Sequence, residues 1–386
     1  MSFSCAERRL GAVVINRGFW PVSDVPGESL LALAENLAID YDTFVLSQSN
    51  VDMQAQCRDK GRAMSVQIRS CSAFTDSNSK IVARVIETVY FAIWVLIQLC
   101  RVRPAFIYVA TDPPIILPFI VCIYSKIFGA KYTYHLQDIH PEASSVVVKM
   151  PALLHWFLVR LDNITLRYAK SIVTLTPSMA EYLQGERGIT SLVHLVDNAS
   201  AYPTESHQRI KNTMVFCGNA GRLQEIPLVV SAIEGYLERG GKLSFTFLGS
   251  GTHAHLFREL SDRWSNVVCL GYLPLDEAIE VLGQHEWGLL PVNNSVLKYA
   301  FPSKTSAYAA AGCKILAICE QDSSLASWVY SGQRGLVSLP VVESIIDAFF
   351  SIERGESTFN AKVEDYDSLS YSFDLFSKTL KKIITR

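Results

Sequence analysis

The chain has 386 residues, enough for two domains of ordinary size, each with its own core. Hydrophobic residues make up 49% and charged residues 19%, which excludes a disordered or fibrous chain, and a formal charge of −2 gives no reason to expect a nucleic-acid binder. The nine cysteines are scattered without a CxxC pair, the pattern of small buried hydrophobes in a reducing compartment rather than of a zinc or redox site.

Residues 1–10 carry Glu7, Arg8 and Arg9 and no apolar h-region, so no secretory signal is expected and a cytosolic location follows. Residues 10–15 (LGAVVI) form a short apolar run of the kind that makes a buried parallel strand. An irregular stretch rich in Gly and Pro follows, then a helical pattern over 28–39 and a strand over 42–46. Residues 81–100 are strongly apolar, but Arg84, Glu87 and Gln98 interrupt them, and the spacing predicts a buried helix rather than a membrane span. Strands are expected over 105–110, 131–135 and 171–175, with a sharp break at Thr111-Asp112-Pro113-Pro114 and a buried helix running to 128. The second half repeats the alternation: strands over 213–217, 243–248, 266–270, 287–291 and 314–319 are separated by helical patterns, which implies a second doubly wound sheet. Polar residues 202–212 read as the linker, and 373–384, with apolar residues at helical spacing among lysines, as a docking amphipathic helix. The expected organisation is therefore an N-terminal domain over 1–202, a C-terminal domain over 203–370, and a helix over 371–386 docking back toward the N-terminal domain.

Four constellations could carry chemistry. Cys217-Gly218-Asn219-Ala220-Gly221-Arg222 follows a strand; its glycines allow close backbone approach, the following N–H groups favour an anion, and Arg222 adds a charge-assisted bond to a phosphate. An ordinary strand-to-helix turn has the same composition. Leu248-Gly249-Ser250-Gly251 repeats this at the next strand. Phe301-Pro302-Ser303-Lys304 enters a helix that Ser303 would cap, and a lysine there opposes the helix dipole unless an anion sits beside it. Finally, His135, Asp138, His140 and Glu142 cluster after a first-domain strand; an acid/base or acceptor-binding group, satisfied structural polar residues and a metal site all fit, although the spacing matches no common zinc pattern. There is no GxSxG elbow and no Walker pair. Two Asp-x-Asp triplets, at 40–42 and 365–367, are expected to be chance rather than cation ligands.

The segments GNAGR, FTFLGSG, NVVCLGYLPLDE, EWGLLPV and FPSKTSAYAAAGCKILA, taken in order, resemble the C-terminal domain of the family 4 retaining glycosyltransferases of GT-B fold. GFWPVSDVPGESLLALAENLA and YHLQDIHPE are similar to the first half of that family, most of all its bacterial O-antigen and capsule branch. The resemblance implies two Rossmann-like doubly wound α/β domains facing a central cleft and transfer of a sugar from a nucleotide-sugar, UDP-linked by preference, to a lipid-linked saccharide. It also implies retention at the anomeric carbon, no metal or other cofactor, and a peripheral site on the inner face of the cytoplasmic membrane. Carried over, Gly218, Asn219, Gly221 and Arg222 would line the diphosphate and Ser303 and Lys304 the donor's phosphates or sugar. His135, Asp138 and Glu142 would be the catalytic group on the acceptor side. Residues 150–170 would be the membrane contact, mixing Leu153, Trp156 and Phe157 with Arg160, Arg167 and Lys170; a core helix with a basic solvated face reads the same way. The chain departs from the family where glutamates are expected, at Tyr299 and Ala307, and a lysine is missing near Gln224 and Glu225. A non-catalytic partner subunit of the same fold, or a UDP-sugar epimerase, remain alternatives.

Overall fold

The structure is a computed structural model describing residues 9–23, 25–75, 79–203, 208–356 and 371–386. The chain divides into two compact units, one of residues 1–142, 150–197 and 373–386, the other of 143–149 and 198–372.

The first unit is built on β1 (Gly11–Ile15), α1 (Val25–Ala38), β2 (Asp42–Gln48), α2 (Met53–Asp59), β3 (Val66–Cys71), α3 (Ile81–Val102), β4 (Phe106–Ala110), α4 (Ile116–Phe128) and β5 (Lys131–His135). After the short α5 (Glu142–Val147), which from residue 143 belongs to the second unit, come α6 (Ala152–Tyr168), β6 (Ser171–Thr174), α7 (Pro177–Gly185) and β7 (Val193–Leu195) of the first. The strands form one parallel sheet in the order β3-β2-β1-β4-β5-β6-β7. Because helices cover both faces, β1 and β4 are almost wholly buried, which is why they read as unbroken apolar runs, and β5 is buried from Tyr132 to His135 although its sequence is mixed. Strands β3 and β7 carry too few apolar residues to stand out in the sequence, and their pairing defines them.

The second unit holds β8 (Ile210–Cys217), α8 (Ile226–Glu238), β9 (Ser244–Leu248), α9 (Ala254–Arg263), β10 (Val267–Gly271), α10 (Leu275–Gln284) and β11 (His285–Pro291). Then follow α11 (Asn294–Leu297), α12 (Lys304–Ala310), β12 (Lys314–Ile318), α13 (Ser324–Ser331), β13 (Gly335–Ser338) and α14 (Val342–Glu353). Its parallel sheet runs β10-β9-β8-β11-β12-β13 over a core that includes Phe216, Tyr236, Phe245, Phe247, Trp287 and Phe349. The last helix, α15 (Phe373–Thr385), belongs to the first unit and packs on α1, burying Phe376, Leu380, Ile383 and Ile384, while Lys381 bonds Asn36 and pairs with Asp40.

One expectation is corrected. The apolar segment from 81 onward is not a buried helix: α3 is long and apolar enough to cross a membrane by length and composition, and only its Phe91, Ala92, Val95, Leu99 side faces the domain together with Glu87 and Gln98. The sequence hid this because a helix apolar on all sides looks the same whether its outer face meets protein or not.

Candidate functional site

In the second unit the strand order reverses between β8 and β11. At such a switch point the loops leaving two neighbouring strands diverge and open a crevice outside their carboxyl ends. The expected residues Gly218, Asn219, Gly221 and Arg222 leave β8 there, and Ser303 and Lys304 start α12, the second helix after β11. Tyr308, one turn along α12, ties the two strand ends: its hydroxyl donates to the Leu289 carbonyl (3.1 Å) and accepts from the Cys217 N–H (3.0 Å).

The loop after β8 is clasped by the loop after β9. Gly218 N–H donates to Leu248 O at 2.9 Å, Ala220 N–H to Ser250 O at 2.6 Å, and His253 N–H to Ala220 O at 2.9 Å. Gly249 has φ +119°, and a Cβ there would stand 2.1 Å from the Gly218 carbonyl oxygen, so only glycine lets the two loops meet. Gly218, at φ +113°, serves a second purpose, since a Cβ on it would press to 2.9 Å from Lys304 Cε. Lys304 thus lies directly across the loop: its Nζ donates to Asn219 O (3.3 Å) and stands 3.7 Å above the Phe216 ring. Burial pushes the Lys304 ammonium down to about 7, only partly opposed by Cys217. Arg222 is exposed and pairs with no carboxylate among the described residues. Two cations and the free side chain of exposed Asn219 therefore flank one glycine loop, an arrangement suited to a multiply charged anion.

Ser303 is corrected in one respect: it occupies the N-cap position, but its side chain makes no capping bond, because its backbone is already helical. Ala307 lies one turn beyond Lys304 on the same helix face and offers no acceptor.

In the first unit the three candidate catalytic residues part company. His135 ends β5 fully buried, sharing a 2.6 Å hydrogen bond with the Tyr108 hydroxyl and packed near Phe376 of α15. Burial pushes its imidazole down to about 4, leaving it neutral and enclosed rather than facing a substrate. Glu142 is likewise spoken for. Its Oε1 accepts from Tyr182 Oη and Arg187 Nε, and its Oε2 from Arg187 Nη2, each at 2.7 Å. Burial raises that carboxyl, but the Arg187 fork outweighs it and holds it below the ordinary range, so Glu142 is poor as a proton donor or base. Arg187 also reaches buried Asp162 at 3.3 Å, which makes the group an internal ion-pair network. Asp138 alone stays available: it is half-buried, has no partner among the described residues, and burial pushes its carboxyl up to about 6.

Sequence reading passed over the other switch point, between β1 and β4. There Arg17 N–H donates to Asp112 O (2.8 Å), Gly18 N–H to Asp112 Oδ2 (3.3 Å), and Arg17 Nη2 to Thr88 (2.8 Å). The signals were the Gly- and Pro-rich stretch after β1 and the proline break after Asp112. Of the Asp-x-Asp triplets, Asp40 pairs with Lys381 and Asp42 opens β2, while 365–367 lie outside the described residues. Among the described residues no group of His, Cys, Asp and Glu is arranged to hold a metal ion.

No family model matches the chain. It is 23% identical over 276 residues, 67% of this chain and 68% of the relative, to the probable glycosyltransferase WbjE of Pseudomonas aeruginosa. Among solved structures it is similar to Anabaena Alr3699/HepE in complex with UDP (TM-score 0.67, 11% identity, 97% of this chain and 99% of that one). It is also similar to WaaG, a glycosyltransferase involved in lipopolysaccharide biosynthesis (TM-score 0.65, 13% identity, 97% and 99%). The sucrose-phosphate synthase of Thermosynechococcus elongatus superposes as well (TM-score 0.69, 11% identity, 97% and 98%). At these identities the structural likeness concerns the fold, which is the pair of Rossmann-like domains of the GT-B class.

Proposed function

We propose that the chain is a retaining glycosyltransferase that moves a sugar from a UDP-sugar to a lipid-linked saccharide during assembly of a surface polysaccharide such as O-antigen. The observation that carries this reading is the glycine clasp at the β8/β11 switch point with Lys304 laid across it, in a chain whose curated relative is a probable glycosyltransferase and whose structural neighbours include a UDP complex. The diphosphate would lie over Gly218–Gly221, its charge met by Lys304, Arg222 and Asn219. As the bond to the sugar breaks, negative charge grows on the leaving phosphate, and cations already in place stabilise it without reorganisation. No divalent ion is required, because the two side-chain cations supply the charge a metal would. Asp138, whose carboxyl burial pushes up to about 6, is the acid/base group on the acceptor side in this reading; His135 and Glu142 support it only through the fold.

Titration with UDP and candidate UDP- and GDP-sugars tests the proposal. Saturable binding of a UDP compound, undiminished by a chelator, is expected, and absence of binding to every nucleotide would overturn it. A second reading, a non-catalytic partner of the same fold, is favoured by Ala307 and Tyr299, which stand where the family resemblance calls for carboxylates. It predicts nucleotide binding without turnover on any lipid-linked acceptor, whereas transfer with an unchanged anomeric signal by NMR establishes the first.

A further inference from the structure

Lys304 is not the only side chain that bridges the crevice between β8 and β11; a carboxylate does so as well. Glu225 ends the loop that leaves β8, directly before α8, and its backbone is left-handed (φ +45°, ψ +35°). Glycine adopts that conformation freely, whereas in a glutamate the Cβ is crowded against the following carbonyl. Backbone chemistry therefore gives no reason for a glutamate at this position, and the reason must lie in its side chain. Capping is not that reason. Glu225 occupies the N-cap position of α8 yet makes no capping bond, and it pairs with no cation among the described residues, Arg222 on the same loop included.

What the carboxylate does meet is Asn293, on the loop leaving β11. Asn293 Nδ2 donates to Glu225 Oε1. The direction of that amide is fixed from its other end, because Asn293 Oδ1 caps α11, accepting from Ser295 N–H (3.0 Å) and from the Ser295 hydroxyl. The main chain is stitched at the same place, Asn293 N–H donating to Leu223 O at 2.8 Å, and Gln224 Oε1 accepts from Gly221 N–H at 3.0 Å. One carboxylate oxygen is thus held in a set direction across the crevice. The other, Oε2, has no partner among the described residues, and Glu225 is half-buried. The loop that presents it is the one whose glycines and Arg222 flank the anion site.

We infer that Glu225 is a specificity-determining residue of this site, accepting hydrogen bonds from a vicinal pair of hydroxyls on the nucleotide-sugar, either of its ribose or of the sugar it carries. The inference rests on the nucleotide-sugar reading given above. A fixed anion beside a diphosphate cradle repels the phosphates. A neutral donor on the same ligand relieves that repulsion, and hydroxyls are the donors a nucleotide-sugar carries next to its phosphates, on the ribose at one end and on the sugar at the other. An ionised carboxylate accepts from both hydroxyls of a pair at once. Such a contact acts on selectivity, because a site built to bond a hydroxyl discriminates against the analogue that lacks it. Asn293 is the positioning residue, since it touches the carboxylate and not the ligand.

The test is calorimetric titration of the full chain and of Glu225→Gln with UDP, 2′-deoxy-UDP, UDP-glucose and UDP-N-acetylglucosamine. Glutamine keeps the length and the oxygen that Asn293 holds and removes the charge, so an unchanged melting temperature is expected. Affinity should fall about tenfold or more, the loss of a hydrogen bond to a charged group. If the ribose is the source, UDP itself binds the variant more weakly, and the parent but not the variant prefers UDP to 2′-deoxy-UDP. If the carried sugar is the source, UDP binds both proteins alike and at least one UDP-sugar binds the variant more weakly. Glu225→Gly, which suits the left-handed backbone, should show the same losses and decides the matter if the glutamine variant folds poorly. Equal binding of all four ligands by parent and variants overturns the inference. So does tighter binding by the variants, or a magnesium-dependent affinity of the parent that the variants have lost. A parent that binds no nucleotide refutes the nucleotide-sugar reading itself, and the inference falls with it.

Discussion

Lys304 shows how a single side chain couples burial to binding. Its ammonium is pushed down to about 7, so in the free protein the cation is present below that pH and fades above it. UDP binding is expected to be flat below pH 7 and to weaken as pH rises, with proton uptake detectable by calorimetry in two buffers at about pH 8. Lys304→Met should abolish both the affinity and its pH dependence. The same variant should melt higher than the parent below pH 7, where a partly desolvated charge opposes folding. Gly249→Ala tests the clasp from the other side. Its methyl would collide with the Gly218 carbonyl in a backbone conformation L-residues rarely adopt, and a loss of about 1–3 kcal/mol together with UDP binding is expected by denaturant titration.

At the scale of elements, the Arg187 network links three pieces of the first unit. The guanidinium, after α7, bonds Glu142 at the start of α5, Asp162 and Asn163 on α6, and the His140 carbonyl. Arg187 and Asp162 are almost completely enclosed, so deleting the cation strands two acids rather than exposing them to water. Arg187→Met should therefore cost about 3–5 kcal/mol, read as a lower urea midpoint. Glu142→Gln with Asp162→Asn in the same background should recover much of that loss, because the stranded charges are gone. If Glu142 were instead a catalytic acid, Glu142→Gln alone would remove turnover while leaving stability intact.

Over the whole molecule, the chain leaves its first unit, builds the second, and returns so that α15 can cover β4 and β5. Four buried apolar side chains on α15 contribute on the order of 6–12 kcal/mol, as much as a domain's entire stability. A chain truncated after Ser372 should consequently keep the second unit and its UDP binding but lose protection of the first. Limited proteolysis is the measurement, and equal resistance of both units would refute the expectation.

What the sequence determined by itself was periodic and local. Unbroken apolar strands alternating with helical patterns were legible from β8 to β12, and the glycines and Lys304 of the β8/β11 crevice were legible from their spacing, because turn chemistry and strand burial act over a few residues. The tertiary structure decided which polar groups remain free. His135, Asp138 and Glu142 sit within eight residues of one another and look alike in sequence. Phe376 from the far end of the chain encloses the first, Arg187 claims the third, and only Asp138 is left open. The outer face of α3 followed the same rule in reverse: its residues are as apolar as those of a core helix, and only the tertiary structure shows that they stay exposed. Availability depends on distant partners, and distance along the chain conceals who those partners are.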